Sequence, residues 1–469
     1  MQLNRDNLQY YVILLSVCGL VLCVCVAFEI NLIFSITLTV WTGLIIYTIL
    51  DIKNNIAVFL FLIAFYILLL GREVAHFFFD FPRHYVYSTT IDEKSYYLLI
   101  ISLIGLFVGF IIAENCKAIY NRSLIQNNKS FSKYSRNIFL LCIGIAIIRT
   151  LERIKFVMTV GYVNSYTTEY TERFEFLMYF SAFSNLALCM YLASKPEKKE
   201  TIKIFALYEI YLVLTMFTGI RATIVIGNFI MIIYFVLRDR HEGGWISKRM
   251  IRMGIIALPV AFALLYLFEF IRTGRAFESR GLLYSAIDFF DQQGGSINNI
   301  KRVVYYKDSI TDLNLVSLNS LHNALFENAI ARQFVEIKVY TNNSIETATL
   351  SNSLPHRLSY LVYGGGYLSG HGTGSSYIAE LFHDFGFVGV LIGNIIYGFL
   401  LKKASQINFK NIFADTILLV VCFSILYSPR NNFDGFITEF FTLHKIVFSA
   451  LAIFVYLLIY ERNYKIKLR

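Results

Sequence analysis

Arginine is the side chain best suited to grip a phosphate, because its planar guanidinium donates paired hydrogen bonds and keeps its charge in any surroundings. In this sequence Arg221, Arg272, Arg275, Arg280 and Arg430 stand at the ends of long apolar runs. Cations there need an anionic ligand, a lipid headgroup or a carboxylate partner. Asp288 and Asp291 precede a polar turn, Gln292-Gln293-Gly294-Gly295-Ser296. Glu380, His383 and Asp384 open a later apolar run, with Glu380 and Asp384 four apart and therefore on one helical face. Ionisable groups at membrane depth are expensive and mark functional positions; pairing with one of the arginines is the plainer alternative. His371, between Gly370 and Gly372, is a candidate general base, since imidazole titrates near neutral pH. A lone loop histidine is otherwise simply solvated. No P-loop, HExxH or GxSxG motif occurs in a fitting context, nor does GxGxxG follow a strand. Nothing points to ATP, a nicotinamide or a metal, and no cofactor is expected.

The elements that position these residues must be membrane helices. Of the 469 residues, 57% are hydrophobic and only 16% charged, with mean hydropathy +0.58. Soluble domains carry about 25% charged residues, so a chain this apolar could not cover its own surface with polar groups. Cys18, Cys23, Cys25, Cys142, Cys189 and Cys422 lie inside apolar runs and Cys116 just after one. Without a CxxC pair or Cys/His spacing they read as small apolar residues, not as a disulfide scaffold or zinc site. The net charge of +10 sits in short loops between apolar runs. That pattern is membrane topology and not a nucleic-acid surface. No cleavable signal peptide is recognisable at the start of the chain.

A span needs about 20 mostly apolar residues. The runs predict helices over 9–27, 30–50, 55–71, 96–113, 137–157, 174–193, 203–219, 220–237, 251–269, 376–401, 412–428 and 440–460. Lys and Arg concentrate in 114–136, 194–203, 238–252, 402–410 and the tail after Arg462. With an even number of spans and a cytoplasmic N-terminus, all of these face the cytoplasm, and so do both termini. The predicted fold class is an all-α integral membrane protein. Helices 1–9 lie within 1–269, a large extracytoplasmic loop covers 270–375, and helices 10–12 and a basic tail lie within 376–469. That loop is too long for a connector. It contains amphipathic patterns over Leu282–Phe290 and from about Asp312 to Val339, and a Gly- and Ser-rich stretch over Gly364–Ser376 where backbone can approach a ligand closely. No internal repeat or inverted symmetry is visible.

Three segments carry a resemblance. Phe289-Phe290-Asp291-Gln292-Gln293-Gly294-Gly295-Ser296-Ile297-Asn298 resembles the QQG-S-I stretch of O-antigen and capsular polysaccharide polymerases of the Wzy type. Gly370-His371-Gly372-Thr373-Gly374-Ser375-Ser376-Tyr377-Ile378-Ala379-Glu380-Leu381, continuing through Phe385-Gly386-Phe387-Val388-Gly389-Val390, resembles their late-helix signature. Thr218-Gly219-Ile220-Arg221 resembles their TG-R junction, and the hydropathy profile is similar over nearly the whole chain. Gly295 departs from the pattern, standing where Val or a similar residue is expected.

The resemblance implies an inner-membrane glycosyltransferase whose substrates are undecaprenyl-pyrophosphate-linked oligosaccharides, working among membrane lipids, with a chain-length regulator protein as a further partner and neither nucleic acid nor metal. Under it, Arg221, Arg272, Arg275, Arg280 and Arg430 bind pyrophosphate. Asp291, Gln292, Gln293 and Ser296 bind glycan. His371, Glu380 or Asp384 takes the acceptor proton, with His371 favoured. A lipid-linked oligosaccharide flippase and an O-antigen ligase are the competing readings. The first should show two comparable halves around a cavity, and no feature of the first half matches the large loop.

Overall fold

A computed structural model describes residues 5–83, 85–116, 129–162, 164–168, 170, 176–273, 281–327, 340 and 343–467. Among them every regular element is helical. The long helices are α1 (Arg5–Ala27), α2 (Leu32–Leu50), α3 (Ile52–Phe65) continuing through a π-turn (Tyr66–Leu70) into α4 (Gly71–Phe79), α5 (Thr89–Asn115), and α6 (Lys129–Val160). They go on as α7 (Phe176–Ala182), α8 (Ser184–Ala193), α9 (Lys198–Met216), α10 (Ala222–Glu242) and α11 (Lys248–Thr273). Shorter helices follow: α12 (Leu282–Gln293), α13 (Ile297–Tyr305), α14 (Asn319–Phe326), α15 (Ile345–Leu350), α16 (Leu354–Tyr363) and α17 (Gly365–Leu368). The chain closes with α18 (Tyr377–Ser405), α19 (Ile412–Ile425), α20 (Gly435–Thr438) and α21 (Leu443–Lys467). Seven helical segments among the described residues are long and apolar enough to cross a membrane: Leu32–Leu50, Ile52–Phe79, Thr89–Asn115, Ala222–Glu242, Tyr377–Ser405, Ile412–Arg430 and Gly435–Ile459. Helices are what a bilayer permits, because each satisfies its own backbone N–H and C=O groups where no water is available.

The centre of the bundle is the contact between α5 and α18. Gly105 and Gly109 form a GxxxG pair on α5, and Gly398 answers from α18. A Cβ at Gly105 would sit 2.7 Å from Leu391 O, and one at Gly109 or Gly398 would overlap the carbonyls of Ile395 or Leu106. The backbones touch, which is how membrane helices gain packing when lipid removes the hydrophobic incentive to associate. Tyr377 Oη donates to Asn394 Oδ1 at 2.7 Å, and Tyr397 Oη to Phe433 O at 2.7 Å, both fully buried. At Gly386 the backbone adopts φ +62°, ψ −150°, a region open essentially only to glycine, and α18 kinks there.

The basic loops gather at one end of the bundle. Lys53 pairs with Asp239 at 2.9 Å, and Arg240 donates to Ser405 O and Ile407 O. Lys402 reaches Asn55 Oδ1 at 2.7 Å, and Lys403 reaches Cys116 O at 2.7 Å. The helix expected from about Asp312 to Val339 is not continuous. Leu315 is left-handed (φ +49°), Val316–Leu318 is a 3₁₀ turn, and α14 covers only Asn319–Phe326; residues 328–339 lie outside the described residues. The cause is Asp384, whose carboxylate takes the N–H groups of Val316 and Ser317 at 3.1 and 2.8 Å and so ties that segment to α18.

Gly109→Leu is expected to destabilise the bundle by about 3 kcal/mol or more, the upper end of overpacking. Gly144→Ala, where an added Cβ has open space, is expected to be neutral. Thermal unfolding of detergent-purified protein, followed by size-exclusion chromatography, compares them. Equal melting of the two variants would remove the backbone contact as the centre of the fold.

Candidate active site

At the other end of the bundle buried charge accumulates. The π-turn in the Ile52–Phe79 helix delivers Arg72 and Glu73 of α4 to the interior. Glu73 is almost fully buried and has three donors: Lys301 Nζ at 2.7 Å, Arg83 Nη2 at 3.0 Å and Tyr96 Oη at 2.5 Å. Arg83 Nη1 also donates to Asp92 Oδ2 at 2.8 Å, and Lys301 stands 2.7 Å from Asp92 Oδ1. Two acids face two bases, so the cluster is neutral as a whole, which is the condition for burying charge. It joins α4, α5, α13 and the 80–88 turn.

Arg72 holds the polar turn that follows α12. Its Nε donates to Asp291 Oδ1 at 3.0 Å and to Asp291 O at 2.9 Å. Gly294 lies against the Arg72 backbone, where a Cβ would overlap, and a Cβ at Gly295 would touch the Arg72 guanidinium at 3.4 Å. Gln293 Oε1 meets Arg430 Nη1 at 3.5 Å. Gln292 donates to Asp288 Oδ2 at 2.8 Å, and the Ser296 hydroxyl is buried without a partner among the described residues. Asp291, Gln293 and Arg430 are therefore brought together, with Arg72 added to them.

Three carboxylates strap loops to α18 and its neighbours. Glu380, 2% exposed, accepts from Ser375 Oγ at 2.6 Å and from Phe433 N at 2.8 Å. Asp384 accepts from Val316 N, Ser317 N, Ser317 Oγ and His383 Nδ1. Asp434, whose carboxyl burial pushes above the usual range, accepts from Leu321 N at 2.6 Å. Glu380 and Asp384 share a helical face as the spacing predicts, and their oxygens are already occupied.

His371 is exposed on the Gly-rich loop. Its backbone N–H donates to Gly366 O, and its ring lies 6.3 Å from the Tyr363 ring. Asn299 fixes the loop by donating to Thr373 O at 3.0 Å and Ser375 O at 3.2 Å, and accepts from Arg302 Nη1 at 2.9 Å. Arg302 is buried, with Tyr85 4.9 Å from its guanidinium and Tyr87 beside it. The Tyr85 hydroxyl is pushed up to about 12 by burial and by its hydrogen bond to Tyr363. His356 meets Tyr367 Oη at 2.9 Å, and burial holds its pKa below the ordinary imidazole value. Tyrosine rings near a glycine loop make a surface that suits sugars, whose C–H faces stack on aromatics while hydroxyls bond to polar tips.

The remaining predicted arginines are distributed differently. Arg221 begins α10 and donates to Leu265 O of α11 at 3.3 Å. Arg272 is in the last turn of α11; its side chain, Arg275 and Arg280 lie outside the described residues.

The chain matches, over residues 8–463, the family model described as O-antigen polysaccharide polymerase Wzy. The chain belongs to this family. No curated protein and no solved structure matches it. The Wzy match spans both ends of the bundle and includes every residue named above. The residues that reading the sequence missed are Arg72, Glu73, Arg83, Asp92, Lys301 and Arg302. The available signal was Arg72-Glu73 inside a helix that is otherwise apolar from Ile56 to Phe79 except for His76: the predicted span stopped at residue 71, one short of it.

Lys301→Met alone leaves Glu73 and Asp92 buried with one cation, and is expected to cost about 3–5 kcal/mol. Adding Glu73→Gln should recover part of that loss. Chemical unfolding of the single and double variants measures the coupling, and strict additivity would mean that the pair is not linked.

Proposed function

We propose that this Wzy-family chain joins undecaprenyl-pyrophosphate-linked oligosaccharide repeat units into O-antigen or capsule chains at the outer face of the bacterial inner membrane. The observation that carries the reading is the polar end opposite the lysine-rich loops. It combines Arg72 and Arg430 on the Asp291–Gln293 turn with an exposed His371 on a glycine loop beside Tyr363. Lys- and Arg-rich loops stay in the cytoplasm, so this end faces outward, where lipid-linked repeats are displayed.

The acceptor hydroxyl of the incoming repeat unit attacks the anomeric carbon of the donor glycan. The bond from that carbon to the pyrophosphate oxygen breaks, its electron pair leaves with undecaprenyl pyrophosphate, and the acceptor proton passes to His371. Guanidinium groups of Arg430, with Arg221, Arg272, Arg275 and Arg280 as the wider clamp, hold the pyrophosphate and stabilise the charge growing on it. Gln292 and Gln293, the half-buried members of the turn, contact glycan hydroxyls, while Asp291, held by Arg72, and the buried Ser296 position that turn as the rest of the glycan subsite. Glu380 and Asp384, with their oxygens filled, act as positioning residues that fix the His371 loop and the 316–317 segment. The chemistry so written uses no metal. A chain-length regulator is a natural partner at the same face.

Disrupting the gene is expected to remove long glycan chains while single repeats persist on gels; loss of all surface glycan would instead favour a flippase. In single-turnover chain extension with purified lipid-linked repeats, His371→Ala should fall by about 100-fold or more, within the range of general-base catalysis. Wild-type extension by His371→Ala together with loss in Glu380→Gln would transfer the base role to the carboxylate. Arg430→Lys, which keeps charge but loses the fork, should lose about 10-fold or more, one charge-assisted contact. For orientation, an impermeant thiol reagent should label a cysteine placed at Asn342 and not one placed at Asn127 in intact cells; the reverse pattern would put the site on the wrong side.

A further inference from the structure

A cleft of about 590 Å³ opens beside α18, lined among others by Lys94, Lys307, Phe382 and Phe387. Neither lysine has a carboxylate partner among the described residues; Lys94 lies 5.3 Å from the centroid of the Phe382 ring. The lining also holds one acid, Asp384, which offsets one of the two cations and leaves the lining net positive, and that carboxylate is turned away onto other donors. Asp384 already accepts from Val316 N, Ser317 N, Ser317 Oγ and His383 Nδ1, and the other ring nitrogen of His383 bonds Ile310 O at 3.0 Å. Leu313 and Leu315 complete an apolar wall, and the Gly386 kink lets α18 turn away beneath it.

Lys94 heads a row of exposed residues on α5, Tyr97, Ile104 and Val108, spaced by helical turns. On α18 the exposed Val388, Ile392 and Ile396 run alongside. The cleft is thus the polar head of a seam that faces lipid. Its cations have no use for a neutral lipid, and its apolar wall and seam have no use for a soluble anion. The matching ligand is a phosphate whose hydrocarbon tail stays in the bilayer, held by lysine ammonium groups at the interface. Volumes of this size fit small-molecule ligands.

We propose that this cleft binds the phosphate group of a polyprenyl pyrophosphate carrier, with the prenyl tail laid along the α5–α18 seam. The proposal rests on the polymerase reading, in which two carrier-linked substrates meet and one carrier leaves. Lys94 and Lys307 are binding residues for the carrier, apart from the His371 loop.

The test uses the full chain in phosphatidylcholine nanodiscs and a benzophenone-bearing farnesyl pyrophosphate as probe. Because the benzophenone sits on the prenyl tail, photolabel is expected on the seam peptides containing Tyr97–Ile104 and Val388–Ile392. Lys94→Gln with Lys307→Gln should weaken labelling by about 10-fold or more, the scale of a lost charge-assisted contact, and the corresponding arginine pair should retain it. Unlabelled farnesyl pyrophosphate should compete; farnesol should not, and phosphatidylglycerol at equal mole fraction should compete far less. Label on other segments, unchanged labelling of the glutamine pair, or equal competition by phosphatidylglycerol each overturns the carrier assignment. If the glutamine pair aggregates, Leu315→Cys blocked with a bulky maleimide in the folded protein gives the same reading, and labelling that survives the block overturns the proposal. Chain extension measured on the same preparation separates the two readings. Extension by the wild type with unchanged probe binding in the glutamine pair removes the cleft and leaves the polymerase. Labelling along the seam without any chain extension does the reverse.

Discussion

The contact of α5 with α18 at Gly105, Gly109 and Gly398 fixes where everything else at the polar end can stand. Because the backbones meet directly, neither helix can slide or rotate without driving a carbonyl into a Cα. Asp92, Lys94 and Tyr96 on α5 and Tyr377, Glu380 and Asp384 on α18 are carried on this pair as on one rigid body. The buried ions then add the third and fourth elements. Glu73 brings in α4 and Lys301 brings in α13, and each charge is tolerated only because its partner arrives from the other element.

On that frame the polar end divides into fixed and free groups. Glu380, Asp384 and Asp434 hold backbone N–H groups of Phe433, of Val316 and Ser317, and of Leu321, so the 316–321 segment and the loop after α19 are placed accurately. His371 is exposed, and Tyr363 beside it and Arg430 are half-buried. Preorganised charge is useful to an enzyme only when it is held still, and these straps hold it beside the groups that remain exposed.

Much of the fold could be read in the sequence because the bilayer enforces it. Apolar runs must be helices, and Lys and Arg concentrate in every other loop, hence at one end; the packing of Lys53 on Asp239 and of Arg240 on Ser405 and Ile407 brings those basic loops to one end. The polar turn at Asp291–Ser296 and the glycine loop at His371 were visible as composition. The ion cluster was not. Its partners are 228 residues apart in the Glu73–Lys301 pair and 219 in the Arg72–Asp291 pair, and no local pattern announces a contact of that range. Glu380 showed the opposite difficulty. A carboxylate at membrane depth reads as a candidate base until Ser375 and the Phe433 N–H are found on its oxygens. The helix expected after Asp312 was read from its own periodicity, whereas Asp384, about 70 residues on, dictates its backbone.

The π-turn at Tyr66–Leu70 makes the helix from Ile52 to Phe79 run in two phases. A wider turn holds one more residue than a regular one, and each residue of an α-helix advances the side chain by about 100°. The apolar stripe that packs the first half therefore continues into the second half displaced by one position, and the displacement is what points Glu73 at Lys301. Exchange of one apolar residue for another leaves the phase intact, whereas closing the π-turn into regular helix at unchanged length would rotate Arg72 and Glu73 together by about 100° away from both of their partners.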